Sequence, residues 1–253
     1  MEKKKTILIT GTSRGLGESL AMRYLSPENR VICLSRSGNE ALIQAAEQTG
    51  CELQDDRLDL IETDRAEGWI RGKLNQLSPE SVSELIIVHN AGLLYPIKLL
   101  GKKSSHKDVH DSVLVNLVAP MRMTEAMVQI TQSWNIPKKV LMISSGAARK
   151  PIAAWSTYCT TKAGLDMFAR CLAEEQKVQE HPIKVVSLAP GVVDTFMQTH
   201  IRKQPKEIFP GVDRFTALHA DQLLSSPATA ADQLINWLEK EDFGDEVIAD
   251  VRK

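Results

Sequence analysis

The chain has 253 residues, of which 43% are hydrophobic and 25% are charged, and its 31 Lys and Arg residues nearly balance 32 Asp and Glu residues, for a formal net charge of −1. This composition is typical of a folded globular protein and excludes an intrinsically disordered chain, which would hold fewer apolar residues and a larger net charge. Near-neutral charge also removes the long-range attraction to phosphates that nonspecific nucleic-acid binding needs, so we expect no nucleic-acid partner.

The sequence contains no apolar run that approaches the roughly 18 residues of a membrane-spanning helix. Its basic first segment, 1–5, leads into strand-like residues and then a glycine, not into an apolar secretion segment. We therefore predict a cytoplasmic protein with no membrane partner.

Cysteine and histidine spacing gives no sign of a metal centre. His106 and His110 are four residues apart on a predicted helix, as in some zinc sites, but no third ligand is suitably placed beside them, which favours a solvated helix face. The cysteines form no CxxC pair and are too sparse for a disulfide framework, which predicts reduced thiols at Cys33, Cys51, Cys159 and Cys171.

Short β-branched or apolar runs alternate with helical segments along the chain. The predicted strands are 6–10, 30–35, 52–58, 84–89, 138–144, 183–188 and 246–249. The predicted helices are 15–25, 39–49, 63–77, 104–134, 156–179 and 228–240. Strands that alternate with helices require crossover connections, so this order predicts an α/β fold: a Rossmann-type, doubly wound, mainly parallel seven-stranded sheet with helices on both faces.

No linker divides the chain and no internal repeat is found, which favours a single domain over residues 1–253. One stretch, 195–226, interrupts the alternation, since it is long, contains Pro205, Pro210 and Gly211, and lies between the sixth strand and the last helix. Long insertions of this kind are often binding loops, so we expect it to form a substrate lid.

A glycine-rich turn, Thr10-Gly11-Thr12-Ser13-Arg14-Gly15-Leu16-Gly17, follows the first predicted strand. Ligands of open parallel sheets bind beyond the carboxyl ends of the strands. Glycines let a pyrophosphate approach the backbone there, and the next helix supplies free N–H groups and a positive dipole. The TGxxxGxG spacing differs from the GxGxxG pattern, so a turn needed only for chain reversal is the alternative. We predict a dinucleotide site that includes Gly11, Ser13, Arg14, Gly15, Leu16 and Gly17.

The end of the second predicted strand indicates which dinucleotide binds. NAD-selective proteins of this fold place an acidic residue near this point to hold the ribose 2′-hydroxyl. Here the strand ends in Ser35 and Arg36, which can hydrogen-bond and pair with a 2′-phosphate, and Arg14 is within reach of the same group. NADP(H) is therefore the predicted cofactor, with two solvated arginines as the alternative.

A tyrosine and a lysine one helical turn apart indicate acid–base chemistry. Tyr158 and Lys162 are at positions i and i+4 of a predicted helix and so share one face. An ammonium about 4 Å from a phenol contributes about 4 kcal/mol at an effective dielectric of about 20, which favours the phenolate and predicts a lowered tyrosine pKa. We expect this pair to transfer protons.

Six motifs in this order resemble those of the short-chain dehydrogenase/reductase family, and they extend over most of the chain: Thr10 to Gly17, Asn90-Ala91-Gly92, Asn116, Ser145, Tyr158-x-x-x-Lys162 and Pro190-Gly191. The resemblance implies an oxidoreductase in which Tyr158 is the general acid and Ser145 orients and polarises the carbonyl. Lys162 would activate the tyrosine and bind the nicotinamide ribose, so Tyr158 and Lys162 also belong to the cofactor site.

The same resemblance places Asn116 in a proton relay. The sequence adds a reason, because Pro120 has no N–H to donate to the carbonyl of Asn116, which leaves that oxygen free for a water. A structural helix kink is the alternative.

The resemblance also implies the rest of the cofactor site. The residues concerned follow the third, fourth and sixth strands: Asp59 and Leu60 beside the adenine, Asn90, Ala91 and Gly92 on the adenosine side, then Pro190, Gly191, Val193 and, at the carboxamide, Thr195. His89 stands where many relatives carry Asn. Asp194 is as well explained as a helix N-cap as it is as a ligand.

The segments 144–151 and 190–197 resemble the bacterial benzil reductase and sepiapterin reductase branch, whose members use NADPH to reduce vicinal diketones or the side-chain ketone of a pterin. This implies a small-molecule carbonyl substrate. The predicted pocket is an apolar, partly aromatic wall, each residue of which has core packing as its alternative: Leu93, Leu94, Gly146, Trp155, Phe196 and Met197. Animal sepiapterin reductases grip the pterin with an acidic residue near the C-terminus, for which Asp250 is the nearest candidate.

Two other functions remain open. A non-catalytic NADP-binding regulator would keep the fold, but such proteins usually lose the tyrosine or the lysine, and both are present. A short-chain dehydrogenase acting on another alcohol or ketone would keep all six motifs. Relatives pair through the helices predicted at 104–134 and 156–179, so we expect a homodimer or homotetramer.

Overall fold

The structure, a computed structural model, describes residues 3–103 and 105–253. At its centre is a seven-stranded sheet with the strand order β3-β2-β1-β4-β5-β6-β7, in which each neighbouring pair is parallel. The strands are β1 (Lys4–Thr10), β2 (Asn29–Ser35), β3 (Glu52–Arg57), β4 (Val82–His89), β5 (Lys138–Ile143), β6 (Ile183–Ala189) and β7 (Ile248–Asp250). The predicted doubly wound α/β fold is confirmed.

Nine helices surround this sheet within the described ranges, and none of them is long and apolar enough to cross a membrane. They are α1 (Gly15–Arg23), α2 (Glu40–Thr49), α3 (Thr63–Asn75), α4 (His106–Val113), α5 (Ala119–Thr131), α6 (Ser156–Gln176), α7 (Phe196–Arg202), α8 (Val212–Ala220) and α9 (Pro227–Leu238). The predicted helix 104–134 is divided by a π-helical turn at Leu114–Val118. Its predicted first residue, Ser104, lies outside the described residues, as do Met1 and Glu2 of the first segment.

Alternating side chains of the buried strands supply two separate cores. Ile7 and Ile9 of β1 pack with α1, α2 and α9, whereas Leu8 between them packs on the opposite face with α3, α5 and α6. This is the period of two that a strand imposes, and burial on both faces explains why the strands are nearly continuous apolar runs. Each such side chain contributes roughly 1.5–3 kcal/mol when fully buried.

The strand order reverses beside β1, and this reversal positions the site. Because β1 pairs with β2 on one side and β4 on the other, the connections that leave these strands diverge and open a crevice at their carboxyl ends. Gly11 and Asn90, directly after β1 and β4, border that crevice.

The segment 195–226 is not an irregular loop, because it contains α7 and α8. Its two ends are joined by backbone hydrogen bonds, since Asp194 N donates to Ser225 O (2.9 Å) and Ser225 N donates to Val192 O (3.0 Å). Two of its buried rings, Phe209 and Phe215, pack on Trp155 at centroid distances of 5.2 and 5.3 Å. Both helices are short and are stabilised by tertiary packing, so the spacing of their apolar residues did not predict them. Its action as a lid and the single-domain boundary stay predictions.

Candidate active site

A cavity of about 1500 Å³ opens at the carboxyl edge of the sheet. It is lined by all the predicted cofactor residues: Gly11, Ser13, Arg14, Gly15, Leu16, Gly17, Ser35, Arg36, Asp59, Leu60, Asn90, Ala91, Gly92, Tyr158, Lys162, Pro190, Gly191, Val193 and Thr195. The predicted substrate residues and the predicted catalytic serine line the same cavity: Leu93, Leu94, Ser145, Gly146, Trp155, Phe196 and Met197. The fold thus brings both predicted groups to one place.

The glycine turn is tight enough to require glycine. Gly11 and Gly15 have φ values of +78° and +67°, in the left-handed region that favours glycine. A Cβ on Gly17 would lie 2.3 Å from the carbonyl oxygen of Gly11 and 2.4 Å from Asn90 Nδ2, so no side chain is tolerated there. This bare backbone at the start of α1 leaves room for a pyrophosphate, and the residues present fit a dinucleotide.

Two asparagines hold the turn in place. Asn90 Nδ2 donates to the carbonyl oxygens of Thr10 (2.9 Å) and Gly11 (3.2 Å), which ties β4 to the end of β1. Asn39, which we did not predict, donates from Nδ2 to Thr12 O (3.1 Å) while its Oδ1 caps α2. Its position before a predicted helix was the signal of a cap, but nothing in the sequence showed that the same side chain supports the glycine turn.

At the end of β2 the two predicted phosphate-binding groups are differently placed. Ser35 is buried, and its Oγ accepts a hydrogen bond from Gly38 N at 3.0 Å. Arg36 is exposed, with Nη1 4.0 Å from a carboxylate oxygen of Asp59. An ion pair of that length and exposure is weak, so the guanidinium is available to a ligand. Arg14 lies over the ring of Phe196, 4.2 Å from its centroid, and its reach towards a 2′-phosphate stays a prediction.

The predicted catalytic pair is buried beside β5. Tyr158 and Lys162 share one face of α6 and are 8% and 4% exposed. Lys162 Nζ donates to the carbonyl oxygen of Ile143 at 2.8 Å and lies 5.8 Å from the centroid of the Tyr158 ring. Ser145 follows β5 at the N-cap of a short 3₁₀ turn. The serine, phenol and amine therefore meet at the wall of one cavity.

Burial controls the protonation of the pair. It raises the pKa of Tyr158 to about 12, and interaction with the Ser145 hydroxyl acts in the opposite direction. It also lowers the pKa of Lys162 to about 8, against the attraction of Asp166. The expected lowering of the tyrosine pKa by the ammonium is wrong here, because desolvation of the phenolate outweighs an amine that is turned to a backbone carbonyl. A protonated phenol at neutral pH is a proton donor.

Asn116 lies behind the cavity, 1% exposed, in the π-helical turn. Its Oδ1 accepts from Leu93 N at 2.7 Å, and its Nδ2 donates to Leu93 O at 2.8 Å and to Thr161 Oγ1 at 3.2 Å. A helix irregularity, the alternative that Pro120 suggested, is thus present. The role of Asn116 in a proton relay stays a prediction.

Only part of the predicted apolar wall faces the cavity freely. Trp155 and Leu94 are 5% and 4% exposed and belong to the cluster that packs on segment 195–226, so the packing alternative describes most of their surface. The Trp155 ring also meets Tyr158 edge-on at 5.8 Å. Phe196 is 61% exposed and Met197 is half-buried.

Asp166 does not line the cavity but supports residues that do, and the sequence did not reveal it. Its Oδ1 accepts hydrogen bonds from the hydroxyls of Ser144 (2.5 Å) and Ser187 (2.7 Å), and its Oδ2 is 3.4 Å from Arg149 Nε. Arg149 in turn donates to the carbonyl oxygen of Ala249 at 2.7 Å. The available signal was a carboxylate one turn after Lys162, within the apolar stripe of α6.

The structure also places three polar residues whose roles the sequence left open. His89 is 2% exposed, pairs with Thr124 Oγ1 at 2.9 Å, and has its pKa lowered to about 3 by burial. Asp194 is not a helix cap, because Thr195 is the N-cap of α7 and Asp194 pairs with Arg202 at 3.3 Å. Asp250 is 6% exposed and lines the cavity, held by Arg252.

A glycine turn that fits a dinucleotide and a Ser–Tyr–Lys group in the same cavity define an α/β oxidoreductase. A family model described as short chain dehydrogenase matches residues 5–206. The chain belongs to this family.

Relatives and solved structures agree with this assignment. The chain is 40% identical over 237 residues to benzil reductase ((S)-benzoin forming) of Bacillus cereus, covering 94% of this chain and 95% of that protein. It is 30% identical to sepiapterin reductase of Mus musculus, covering 93% and 92%. The crystal structure of the KRED1-Pglu enzyme superposes with a TM-score of 0.79 at 27% identity, covering 96% of this chain and 99% of that one.

Proposed function

We propose that the protein is an NADPH-dependent carbonyl reductase that reduces a vicinal diketone such as benzil to a hydroxyketone. The observation that carries this proposal is that Ser145, Tyr158 and Lys162 line one cavity together with the glycine turn. A benzil reductase that matches nearly the whole chain supports it. Reduction of a sepiapterin-like pterin ketone is the second candidate, supported by the sepiapterin reductase relatives.

The side chains divide the chemistry between them. The nicotinamide cofactor, when bound, supplies the hydride that is added to the carbonyl carbon. Tyr158 donates its phenolic proton to the carbonyl oxygen, so that C=O becomes CH–OH, and Ser145 donates a hydrogen bond that orients the same oxygen. The charged amine of Lys162 stabilises the phenolate that remains, and Asn116 belongs to the path by which the proton is replaced.

The end of β2 supports NADP(H) as the cofactor. Arg36 is exposed at this point and only weakly paired, and Ser35 precedes it where an acidic residue would repel a 2′-phosphate. The start of α1 and the residues after β4 and β6 would hold the remainder, through Gly11 to Gly17, Asn90 to Gly92 and Pro190 to Thr195.

The environment of Asp250 supports a diketone over a pterin. Its carboxylate receives two hydrogen bonds from the Arg252 guanidinium, at 2.8 and 2.6 Å. Before Asp250 could bind a pterin ring, its ion pair with Arg252 would have to break. The buried carboxylate would then lose its partner, which costs free energy.

A substrate panel tests the proposal. Purified protein is mixed with NADPH or NADH and with benzil, 1-phenyl-1,2-propanedione, sepiapterin or a simple aldehyde, and cofactor oxidation is followed by absorbance. We expect the largest kcat/KM with NADPH and the diketones. Tyr158→Phe should bind NADPH yet lose nearly all turnover, and Tyr24→Phe, at a buried tyrosine in the core that packs with α1, α2 and α9, is the matched control. NADPH binding without oxidation of any carbonyl would instead indicate a regulator.

Location and assembly are also proposals. We expect a cytoplasmic homodimer or homotetramer that pairs through α5 and α6, on which Met121 and Met167 are 38% and 59% exposed. A subunit interface on these helices would cover both methionine side chains. Analytical ultracentrifugation measures the assembly directly.

A further inference from the structure

The C-terminal tail reaches the catalytic end of the cavity. After β7 the chain turns back, and the Arg252 side chain passes over Gly191, where a Cβ would lie 3.6 Å from Arg252 Cδ. Its Nη2 lies 3.9 Å from the position of a Cβ on Gly146, the residue after Ser145. The guanidinium is thus close to the residue that follows Ser145, and it lines the same cavity.

Asp250 fixes the direction of this guanidinium. Arg252 Nε donates to Asp250 Oδ1 at 2.8 Å and Nη2 donates to Oδ2 at 2.6 Å, while the Arg252 backbone N–H donates to Oδ1 at 3.1 Å. Asp250 is buried and the Arg252 side chain is 55% exposed, so the fork is anchored on its protein side and open on its other side. A planar guanidinium presents five N–H groups, and in the part of the chain that the structure describes Nη1 has no protein acceptor.

The charge of the pair determines what this open edge can bind. The Asp250 carboxylate offsets the positive charge of Arg252, and the guanidinium holds the pKa of that carboxyl below its usual range. Arg149, which also reaches β7, is paired with Asp166 and with a backbone carbonyl, and Lys150 and Lys253 line the same cavity. Because Asp250 offsets its charge, the open edge of Arg252 attracts an anion less than an unpaired guanidinium would, which favours an uncharged oxygen acceptor.

We propose that Arg252 determines specificity, with its Nη1 edge donating a hydrogen bond to the second carbonyl oxygen of a vicinal diketone while Ser145 and Tyr158 hold the first. This inference rests on the proposed function. The two oxygens of such a substrate are on adjacent carbons, which matches donors on adjacent parts of the cavity wall. A substrate with one carbonyl leaves the Arg252 edge unused.

The test compares benzil with deoxybenzoin, which has the same two rings and a single carbonyl. In Arg252→Lys the cation can still pair with Asp250 and anchor the tail, but the planar second edge is gone. We expect the ratio of kcat/KM for benzil to that for deoxybenzoin to fall about tenfold, the effect of one hydrogen bond from a charged donor. Lys177→Ala, which removes an exposed charge just after α6 and away from the cavity, should keep the wild-type ratio. An unchanged ratio in Arg252→Lys overturns the proposal.

Binding without turnover gives an independent measurement. With NADP⁺ present no reduction occurs, and calorimetry should show benzil binding more weakly to Arg252→Lys by a similar factor, whereas equal affinity counts against the proposal. Asp250→Asn removes the offsetting charge, so it should improve kcat/KM for phenylglyoxylate relative to benzil. No such improvement also counts against it. If the wild-type protein reduces neither ketone, the proposed function fails; if it reduces both and the variants keep its ratio, only the role of Arg252 fails.

Discussion

Lys162 donates a hydrogen bond from Nζ to the carbonyl oxygen of Ile143, 2.8 Å away, so this amine is held against β5 two residues before Ser145. The bond fixes the position of the amine while burial lowers its pKa to about 8. The proton on this nitrogen is therefore lost at a pH where free lysine keeps it.

The pH profile of ketone reduction should report this proton. We expect kcat/KM to be level near neutral pH and to fall above about pH 8, because the unprotonated amine no longer stabilises the Tyr158 phenolate. The phenol itself, with a pKa of about 12, stays protonated across this range and is not the cause. Arg at position 162 stays charged, so any residual activity of Lys162→Arg should show no such fall. A wild-type profile that is level up to the pKa of a free lysine, about 10.4, contradicts this assignment.

Cofactor choice should depend on Arg36. Arg36→Ala removes a group that can fork onto a 2′-phosphate, so we expect the Kd of NADPH to rise roughly 10- to 100-fold and that of NADH to change little. Fluorescence titration with both dinucleotides measures this. Arg65→Ala, an exposed arginine on α3 paired with Glu62, is the control. Equal losses for the two dinucleotides would show that Arg36 does not contact the phosphate.

Two glycines should respond to alanine in opposite directions. Gly17→Ala forces a Cβ to within 2.3 Å of Gly11 O, so it should abolish dinucleotide binding and lower the melting temperature. Gly72 is inside α3 with nothing within 4 Å of its Cβ position, so Gly72→Ala should raise stability by about 0.5–1 kcal/mol. Denaturant titration of both variants with and without NADPH separates binding from folding. A Gly17→Ala protein that binds normally is incompatible with the turn described above.

The loss of folding stability at acid pH should depend on His89. Burial lowers its folded-state pKa to about 3, whereas the unfolded chain takes up the proton near 6.5. The unfolded state then binds more protons below pH 6.5, so His89 should cost about 1.4 kcal/mol of stability per pH unit as pH falls from about 6.5 towards 3. Unfolding free energies measured against pH should show a shallower slope for His89→Asn. His110→Asn, at an exposed position on α4, should keep the wild-type slope.

Much of the site was predictable because its residues follow strands. Gly11, Asn90, Ser145 and Pro190 each come directly after or near the end of a strand, and parallel strands bring their carboxyl ends to one edge. The pairing of Tyr158 with Lys162 followed from helical spacing alone. These features depend on local sequence, so they could be read without coordinates.

What could not be predicted depends on contacts between distant segments. The bonds of Asp166 join α6 to β5 and β6, and those of Asn39 join α2 to the glycine turn. The helices of segment 195–226 are fixed by the packing of Phe209 on Trp155, more than fifty residues away in sequence. The raised pKa of Tyr158 likewise results from burial, which the spacing of two residues does not reveal.

The carboxylate of Asp166 also limits how this enzyme can be re-engineered. It binds the serine that precedes Ser145, and through Arg149 it reaches the strand that carries Asp250. A chimera that takes its C-terminus from a relative would therefore disturb the position of Ser145 unless residue 149 were exchanged with it. The C-terminal tail and the segment that follows β5 would have to be exchanged together.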